Sequence, residues 1–132
     1  MVDLALYGQG NLVLLKDVCR RQGISMKYLG HFIPLLKSAG LITALRGASG
    51  GFSLARPATE ITVKNIIEAV EGQLCLSGCT KDASSCRKSG SCAAEDFWGE
   101  ATDAVSGIFD SYSLAHLADL ERNKNSVLTY SI

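Results

Sequence analysis

The sequence predicts a mainly α-helical fold with one small β-hairpin and a long helix towards its C-terminal end. Apolar residues recur at intervals of three and four through most of the chain, which indicates amphipathic helices. A glycine-rich stretch separates two short runs that are compatible with strands, and this pattern indicates the hairpin. Of the 132 residues, 47% are hydrophobic and 20% are charged, a composition typical of a folded domain.

Several classes of protein are excluded at this point. No apolar run approaches the roughly 18 residues that a membrane helix needs, so we expect no membrane segment. Residues 1–10 contain Asp3 and no basic cluster ahead of an apolar stretch, which is unlike a secretory signal peptide. Because nothing indicates export, a disulfide-stapled secreted fold is disfavoured and a cytoplasmic location is expected.

Short helices are predicted before the hairpin. Met1–Tyr7 is compatible with a helix, and Leu12–Gln22 places its apolar residues on one face before a stop at Gly23. Ser25 caps the next helix, whose apolar residues keep the same spacing until Gly40. The tight turn between these two amphipathic helices, with one glycine and one capping serine, is the helix-turn-helix arrangement.

The hairpin follows directly after these helices. Its predicted strands are Leu41–Leu45 and Gly51–Ala55, joined by a tip rich in glycine. Thr62 is then predicted to cap a helix over Val63–Glu71. A hairpin placed after a helix-turn-helix makes a wing, so the front part of the chain is predicted to be a winged helix-turn-helix.

Such a unit indicates a surface for double-stranded DNA. The second helix of the turn enters a major groove, and a glycine-rich tip lets a basic residue approach a minor groove. The alternative is that the helix pair and the hairpin make protein contacts. The residues predicted to contact DNA are Ser25, Lys27, Tyr28, His31, Arg46, Gly47 and Ser49.

Charge is divided unevenly along the chain, although the formal net charge is zero. Residues 1–60 hold seven basic and three acidic residues, a net +4, and residues 61–132 hold six basic and ten acidic residues, a net −4. A basic half can approach a polyanion while an acidic half stays away from it. The division therefore favours a nucleic-acid ligand for the front part.

Four of the five cysteines lie within 18 residues, in a segment rich in Ser, Gly and Lys that is predicted to be a loop. Their spacing, Cys75-x3-Cys79-x6-Cys86-x5-Cys92, lacks the C-x2-C pair of most zinc knuckles. Thiolates spaced in this way can converge on a soft metal centre, and iron–sulfur clusters take such ligands. Spacing alone leaves three interpretations open: an iron–sulfur cluster, a zinc site, or thiols without a shared ligand.

The back part of the chain carries an apolar stripe between residues 94 and 110. The stripe includes Phe97 and Trp98 and covers about four helical turns. Because the front part is too small to offer much core surface to this stripe, we expect the stripe to pack against the identical helix of a partner subunit. Ser113 is predicted to cap a last helix that ends near Arg122, and residues 123–132 are predicted to form a tail.

These features together resemble the Rrf2 family of bacterial winged-helix transcription regulators. The matching stretches are QGISMKYLGHFIPLLKSAGLI for the turn and recognition helix, RGASGGFSLARP for the wing, TVKNIIEAVEG for the next helix, and CAAEDFW after the cysteines. The resemblance is specific because the wing and the cysteine segment occur together. It implies a homodimer that binds partly palindromic promoter DNA.

The resemblance also implies a cofactor. Many members hold an iron–sulfur cluster through three loop cysteines that match Cys79, Cys86 and Cys92, and a 2Fe-2S cluster is expected here rather than 4Fe-4S. In some members the fourth ligand is a histidine three residues after the last cysteine. That position is Glu95 in this chain, and Cys75 is the other candidate. The state of the cluster is then expected to tune the affinity for DNA.

Three regions follow from this interpretation. They are a DNA-binding unit over residues 1–73, whose first helix is expected to be truncated, a cluster-binding loop over 74–93, and a dimerisation helix with a C-terminal helix over 94–132. The predicted function is a transcription regulator that senses iron–sulfur, redox or nitric-oxide status. The alternative is a cluster-free repressor of the same fold, controlled by its thiols or by a protein partner. Since no phosphate loop or acid–base pair occurs, we expect neither an enzyme nor a small-molecule substrate.

Overall fold

Helices dominate the computed structural model, which describes residues 1–130 apart from the side chains of Thr80, Ala83 and Tyr130. In chain order the elements are α1 (Val2–Tyr7), α2 (Leu15–Gln22), α3 (Met26–Ser38), β1 (Ile42–Leu45), β2 (Gly51–Leu54), α4 (Val63–Glu71), α5 (Gly78–Lys81), α6 (Ala93–Ser111) and α7 (Leu114–Tyr130). This order confirms the predicted winged helix-turn-helix with a long helix behind it. None of the helices within residues 1–130 is long and apolar enough to cross a lipid bilayer.

The start of α2 corrects a sequence prediction. The helix was expected from Leu12 but begins at Leu15, because Val13 pairs with Phe52 as an extended segment. Val13 N donates to Phe52 O and Phe52 N donates to Val13 O, both at 2.8 Å. Apolar spacing predicted a helix from Leu12, but the two hydrogen bonds to Phe52 hold Val13 in an extended conformation.

The wing is antiparallel and packs on the helices through one face. Its register runs from Ile42 opposite Leu54 to Leu45 opposite Gly51. The buried core is built from the front part of the chain and the start of α7, and its fully or nearly fully buried members are Leu4, Val13, Val18, Leu36, Leu41, Ile42, Ile61 and Leu114. Burial of each such aliphatic side chain contributes about 1.5–3 kcal/mol to folding.

The corner between α6 and α7 is bonded to the start of α4. Leu114 N donates to Ile61 O at 2.7 Å, and Val63 N donates to Tyr112 O at 2.9 Å. Ile61 and Leu114 are both completely buried, at 0% exposure. We call these four residues the junction, since they join the back of the molecule to the winged unit.

The predicted C-terminal tail is wrong, because α7 continues to Tyr130. Its polar residues stay within the helix by bonding to carbonyls of the preceding turn, as Ser126 Oγ does to Asn123 O at 2.7 Å and Thr129 Oγ1 to Asn125 O at 3.0 Å. The helix therefore extends through residues of low intrinsic helix propensity. Residues 131–132 of that predicted tail lie outside the described residues.

The cysteine segment is also more ordered than a loop. It contains α5 and a 3-10 turn over Ala83–Ser85, so the prediction of a loop over residues 74–93 is wrong in part. Asp82 Oδ1 accepts a hydrogen bond from Ser84 N at 3.0 Å and caps this turn. Hydrogen bonds from the Ser84 hydroxyl and amide lower the pKa of Asp82. Side-chain bonds of this kind leave no apolar periodicity, which is why the pattern analysis missed the turn.

Candidate nucleic-acid interface and cysteine segment

The turn between α2 and α3 has the geometry that the sequence predicts. Gly23 adopts a left-handed conformation with φ of 64°, and Ile24 N donates to Cys19 O at 3.1 Å, which closes the end of α2. Ser25 Oγ then accepts a hydrogen bond from Tyr28 N at 3.0 Å and caps the N-terminus of α3. Cys19 is buried at this turn and is a small residue of the core.

The N-terminal turn of α3 presents an open polar and aromatic face. Met26 and Tyr28 are 55% and 58% exposed, and Lys27 and His31 are exposed beside them. The Tyr28 ring is oriented by an edge-to-face contact with Phe32, with ring centroids 5.0 Å apart. Four of the predicted contact residues, Ser25, Lys27, Tyr28 and His31, line one shallow depression of about 280 Å³.

The remaining predicted contact residues lie on the wing tip. Gly50 N donates to Gly47 O at 3.0 Å, and Gly47 has a φ of 113° that a side chain would strain. A Cβ atom on Gly50 would lie 2.4 Å from Leu45 O, so the tight tip requires glycine there as well. The result is a compact tip on which Arg46 and Ser49 are exposed.

A buried ion pair behind the turn was missed by the sequence analysis. Asp3 is 4% exposed in α1, and its carboxylate accepts hydrogen bonds from Arg21 Nη2 at 2.5 Å and Arg21 Nε at 2.9 Å. Gln22 Nε2 donates to the same carboxylate at 3.1 Å, and the Arg21 guanidinium lies 4.2 Å above the Tyr7 ring. We call this group the Asp3 cluster. It ties α1 to the end of α2 and therefore supports the turn.

Two opposing effects set the acidity of Asp3. Burial raises its pKa, but the hydrogen bonds from Arg21 and Gln22 outweigh burial and leave the pKa below its ordinary value. Asp3 is therefore a carboxylate at neutral pH. Because Arg21 serves this cluster, it is one basic residue of the front half that is not free to contact DNA.

Four of the five cysteines lie in the segment between α4 and α6. Cys79 lies in α5, Cys86 follows the 3-10 turn, and Cys92 precedes the first residue of α6. All three are half-buried, as is Cys75, whose Sγ donates to Ser77 O at 3.0 Å. Within the described residues, no three His, Cys, Asp or Glu side chains gather closely enough to form a metal site.

The donor set nevertheless fits an iron–sulfur cluster chemically. Thiolates are the ligands that such clusters take, and these three belong to short turns that lie outside the buried core. Cys75 and Glu95 are the two candidates for a fourth ligand, and both oxygens of Glu95 accept hydrogen bonds from Ser89 and Gly90. The structure thus places the predicted ligands in one segment without bringing them together.

Helix packing connects this segment to the recognition helix. Helix α5 packs on α6, α6 packs on α4, and α4 packs on α3. Leu76 N also donates to Thr102 Oγ1 of α6 at 3.5 Å. We call this sequence of contacts the α5–α6–α4–α3 path. It offers a physical connection between the cysteines and the face that carries Lys27 and Tyr28.

The apolar stripe of α6 remains open to solvent in the single chain. Phe97, Trp98 and Ile108 are 61%, 37% and 58% exposed. The Phe97 and Trp98 rings contact each other edge to face at 5.2 Å between centroids. An exposed apolar face of this kind is typical of a protein interface.

A capped recognition helix with an open polar face, followed by a tight wing with an exposed arginine, defines a DNA-binding transcriptional regulator of the winged-helix class. The chain belongs to the Rrf2 family, whose description is iron-dependent transcriptional regulator and whose model matches residues 1–120. The expected family and the expected absence of enzymatic activity are both confirmed, since the relatives are transcription regulators.

Individual relatives match over most of the chain. It is 36% identical over 117 residues to protein rrf2 of Nitratidesulfovibrio vulgaris, covering 89% of this chain and 78% of that protein. It is 34% identical over 119 residues to the HTH-type transcriptional regulator IscR of Photorhabdus laumondii, covering 90% and 72%. The solved structure of CymR, the global cysteine regulator of B. subtilis, matches with a TM-score of 0.74 and 28% identity, covering 90% and 87%.

Proposed function

We propose that this regulator is a homodimer whose affinity for promoter DNA is controlled by an iron–sulfur cluster bound by Cys79, Cys86 and Cys92. The observation that carries the proposal is the α5–α6–α4–α3 path, which starts at the segment with these thiols and ends at the recognition helix. The family description as iron-dependent supports the choice of ligand. We further propose that the protein acts in the cytoplasm, where it meets the chromosome.

The cluster would supply a redox-sensitive and reversible crosslink between three turns of the chain, and we propose the 2Fe-2S form. The protein's own part is to carry the three thiols in one segment outside the buried core. Lys81, Arg87 and Lys88 lie between these cysteines in sequence, and their positive charge would offset the negative charge of a thiolate-bound cluster.

Ordering of the cysteine segment would then change DNA binding through contacts between helices. When the three thiols share one ligand, α5 is fixed on α6, and α6 is bonded through the junction to the start of α4. A small rotation of α6 is expected to change the spacing between the two recognition helices of a dimer. DNA with fixed half-site spacing binds one of these two arrangements better.

The open stripe on α6 supplies the dimer contact in this proposal. Two copies related by a twofold axis place the same apolar residues against each other, which covers Phe97, Trp98 and Ile108. The residues proposed to contact DNA are those predicted from the sequence, on α3 and on the wing tip. A twofold arrangement also presents two wings to a palindromic site.

The cluster is tested by iron and sulfide content after anaerobic isolation. The wild-type protein is expected to be coloured and to contain iron and sulfide, whereas replacement of Cys79, Cys86 and Cys92 by alanine abolishes both. Cys19→Ala is the matched control, because Cys19 is a thiol in the core rather than in the segment. A colourless, iron-free wild-type protein contradicts the cluster proposal and leaves DNA binding intact.

The DNA surface is tested at the wing tip. Arg46→Ala is expected to weaken binding to a mixed-sequence duplex by about 1–3 kcal/mol and to reduce the salt dependence of the affinity by about one counterion. Fluorescence anisotropy at several salt concentrations measures both quantities. Lys124→Ala removes the same charge from α7 and should leave both unchanged; an equal effect of the two variants contradicts a role for the wing.

A thiol-controlled repressor is the second candidate, and one observation favours it. Cys75 lines a cavity of about 430 Å³ together with Lys81 and Glu71, at the point where α4 leads into α5. A modified thiol there would act on the same helix path without a cluster. In that case the effector response survives replacement of Cys79, Cys86 and Cys92 and is lost in Cys75→Ala.

A further inference from the structure

We propose that Glu95 is a positioning residue that clasps the turn between Cys86 and Cys92 onto α6, rather than a ligand of the cluster. The part of this inference that concerns the cluster rests on the proposed function, whereas the clasp itself rests on two hydrogen bonds within the chain. The sequence singled out Glu95 only as the position where some relatives carry a histidine ligand, so its hydrogen bonds assign it a different role.

Both oxygens of the Glu95 carboxylate are engaged by the same turn. Glu95 Oε1 accepts from Ser89 Oγ at 2.9 Å, and Glu95 Oε2 accepts from Gly90 N at 2.7 Å. The residue is half-buried in the first turn of α6, where the positive end of the helix favours a carboxylate. It resembles a capping box in which the acidic side chain reaches back beyond the residue before the helix.

The clasped turn otherwise has only local bonds among its described residues. Ser89 N donates to Cys86 O at 3.2 Å, and Ser91 N donates to Lys88 O at 3.0 Å. Gly90 adopts a φ of 82°, which exposes its N–H to the carboxylate. Glu95 therefore connects the segment that bears two proposed ligands to the helix that transmits their state.

A role as ligand would compete with these bonds. Hydrogen bonds to Ser89 and Gly90 already fix both oxygens, so a metal could bind Glu95 only through a lone pair that those bonds leave free, whereas positioning needs no further contact. As a positioning residue, Glu95 keeps both hydrogen bonds while the thiols remain available to the cluster. The clasp thus holds the turn between two of the three sulfur donors against the first turn of α6.

The two roles are separated by the choice of substitution. Glu95→Gln keeps the length of the side chain, can still accept from Gly90 N through its carbonyl oxygen, and can donate to the Ser89 hydroxyl. Glu95→Ala removes both bonds. A positioning residue is therefore rescued by glutamine, whereas an anionic metal ligand is not.

The experiment measures metal-free full-length protein first. Rates of alkylation of Cys86, Cys92 and Cys79 by iodoacetamide are followed by peptide mass spectrometry, together with hydrogen exchange of the peptide that contains Gly90. In Glu95→Ala we expect severalfold faster alkylation of Cys86 and Cys92 and faster exchange at Gly90, while Glu95→Gln matches wild type. Cys79 is an internal reference, and Glu100→Ala removes a carboxylate from the exposed side of the same helix as a control.

Iron content and the visible spectrum of anaerobically isolated protein complete the test. Retention of the wild-type spectrum by Glu95→Gln supports positioning. Unchanged thiol and exchange rates in Glu95→Ala overturn the clasp, and loss of iron from Glu95→Gln overturns the claim that Glu95 is not a ligand. If wild type itself holds no iron, the proposed function fails while the measurements on metal-free protein still decide the clasp.

Discussion

Replacement of Asp3 by asparagine is expected to lower the free energy of unfolding by about 3 kcal/mol, because it removes the charge that Arg21 and Gln22 surround. Asparagine has nearly the same size, so the loss reports the ion pair rather than a cavity. The Arg21 side chain is 25% exposed, so water compensates part of the lost pairing and keeps the effect at the lower end for buried pairs. Urea unfolding at a fixed protein concentration measures the change.

An exposed ion pair provides the matched control. Arg122 Nη1 lies 2.7 Å from Asp119 Oδ1 on α7, and the Asp119 and Arg122 side chains are 64% and 54% exposed. Asp119→Asn is expected to change the stability by less than about 0.5 kcal/mol. Equal destabilisation by the two substitutions would show that the Asp3 cluster does not brace α1 against α2.

The stability that Asp3 provides also depends on pH in a defined direction. Its pKa is lower in the folded chain than the ordinary value of 3.8, so the folded state releases this proton more readily than the unfolded state. The contribution is complete above the unfolded pKa and disappears as the pH falls through the folded pKa. The difference between wild type and Asp3→Asn should therefore shrink below about pH 5.

Replacement of Leu114 by alanine is expected to cost about 2–5 kcal/mol, the range for truncation of a fully buried leucine. Leu114 has 0% exposure and belongs to the core cluster that joins the junction to the winged unit. The same cavity should weaken the connection between α6 and α4. Thermal and urea unfolding both measure the loss of stability.

The control for this prediction is a leucine on the surface of the wing. Leu45 is 59% exposed, so Leu45→Ala is expected to change stability by no more than about 0.5 kcal/mol. If Leu114→Ala were no more destabilising than Leu45→Ala, the junction would not be the rigid connection between α6 and α4 that the proposed control of DNA binding requires.

The candidate sites were recognisable from local patterns. The turn glycine Gly23, the capping Ser25 and the glycines of the wing tip each act on backbone within a few residues, and they form the predicted turn, helix cap and hairpin tip. The spacing of the cysteines likewise needed no distant partner to be noticed. Their convergence on a cluster is a question of tertiary arrangement, so it remains a prediction that iron analysis tests.

Helix periodicity, caps and turn glycines are thus contained in the order of the amino acids, since each depends on neighbours three or four positions away. The extended pairing of Val13 with Phe52, the bond between Ile61 and Leu114, and the salt bridge between Asp3 and Arg21 are not, because they join residues that are far apart along the chain. Such partners compete with local preferences only once the chain is compact. That competition is why α2 starts late, and why the buried Asp3 gave no signal in the sequence.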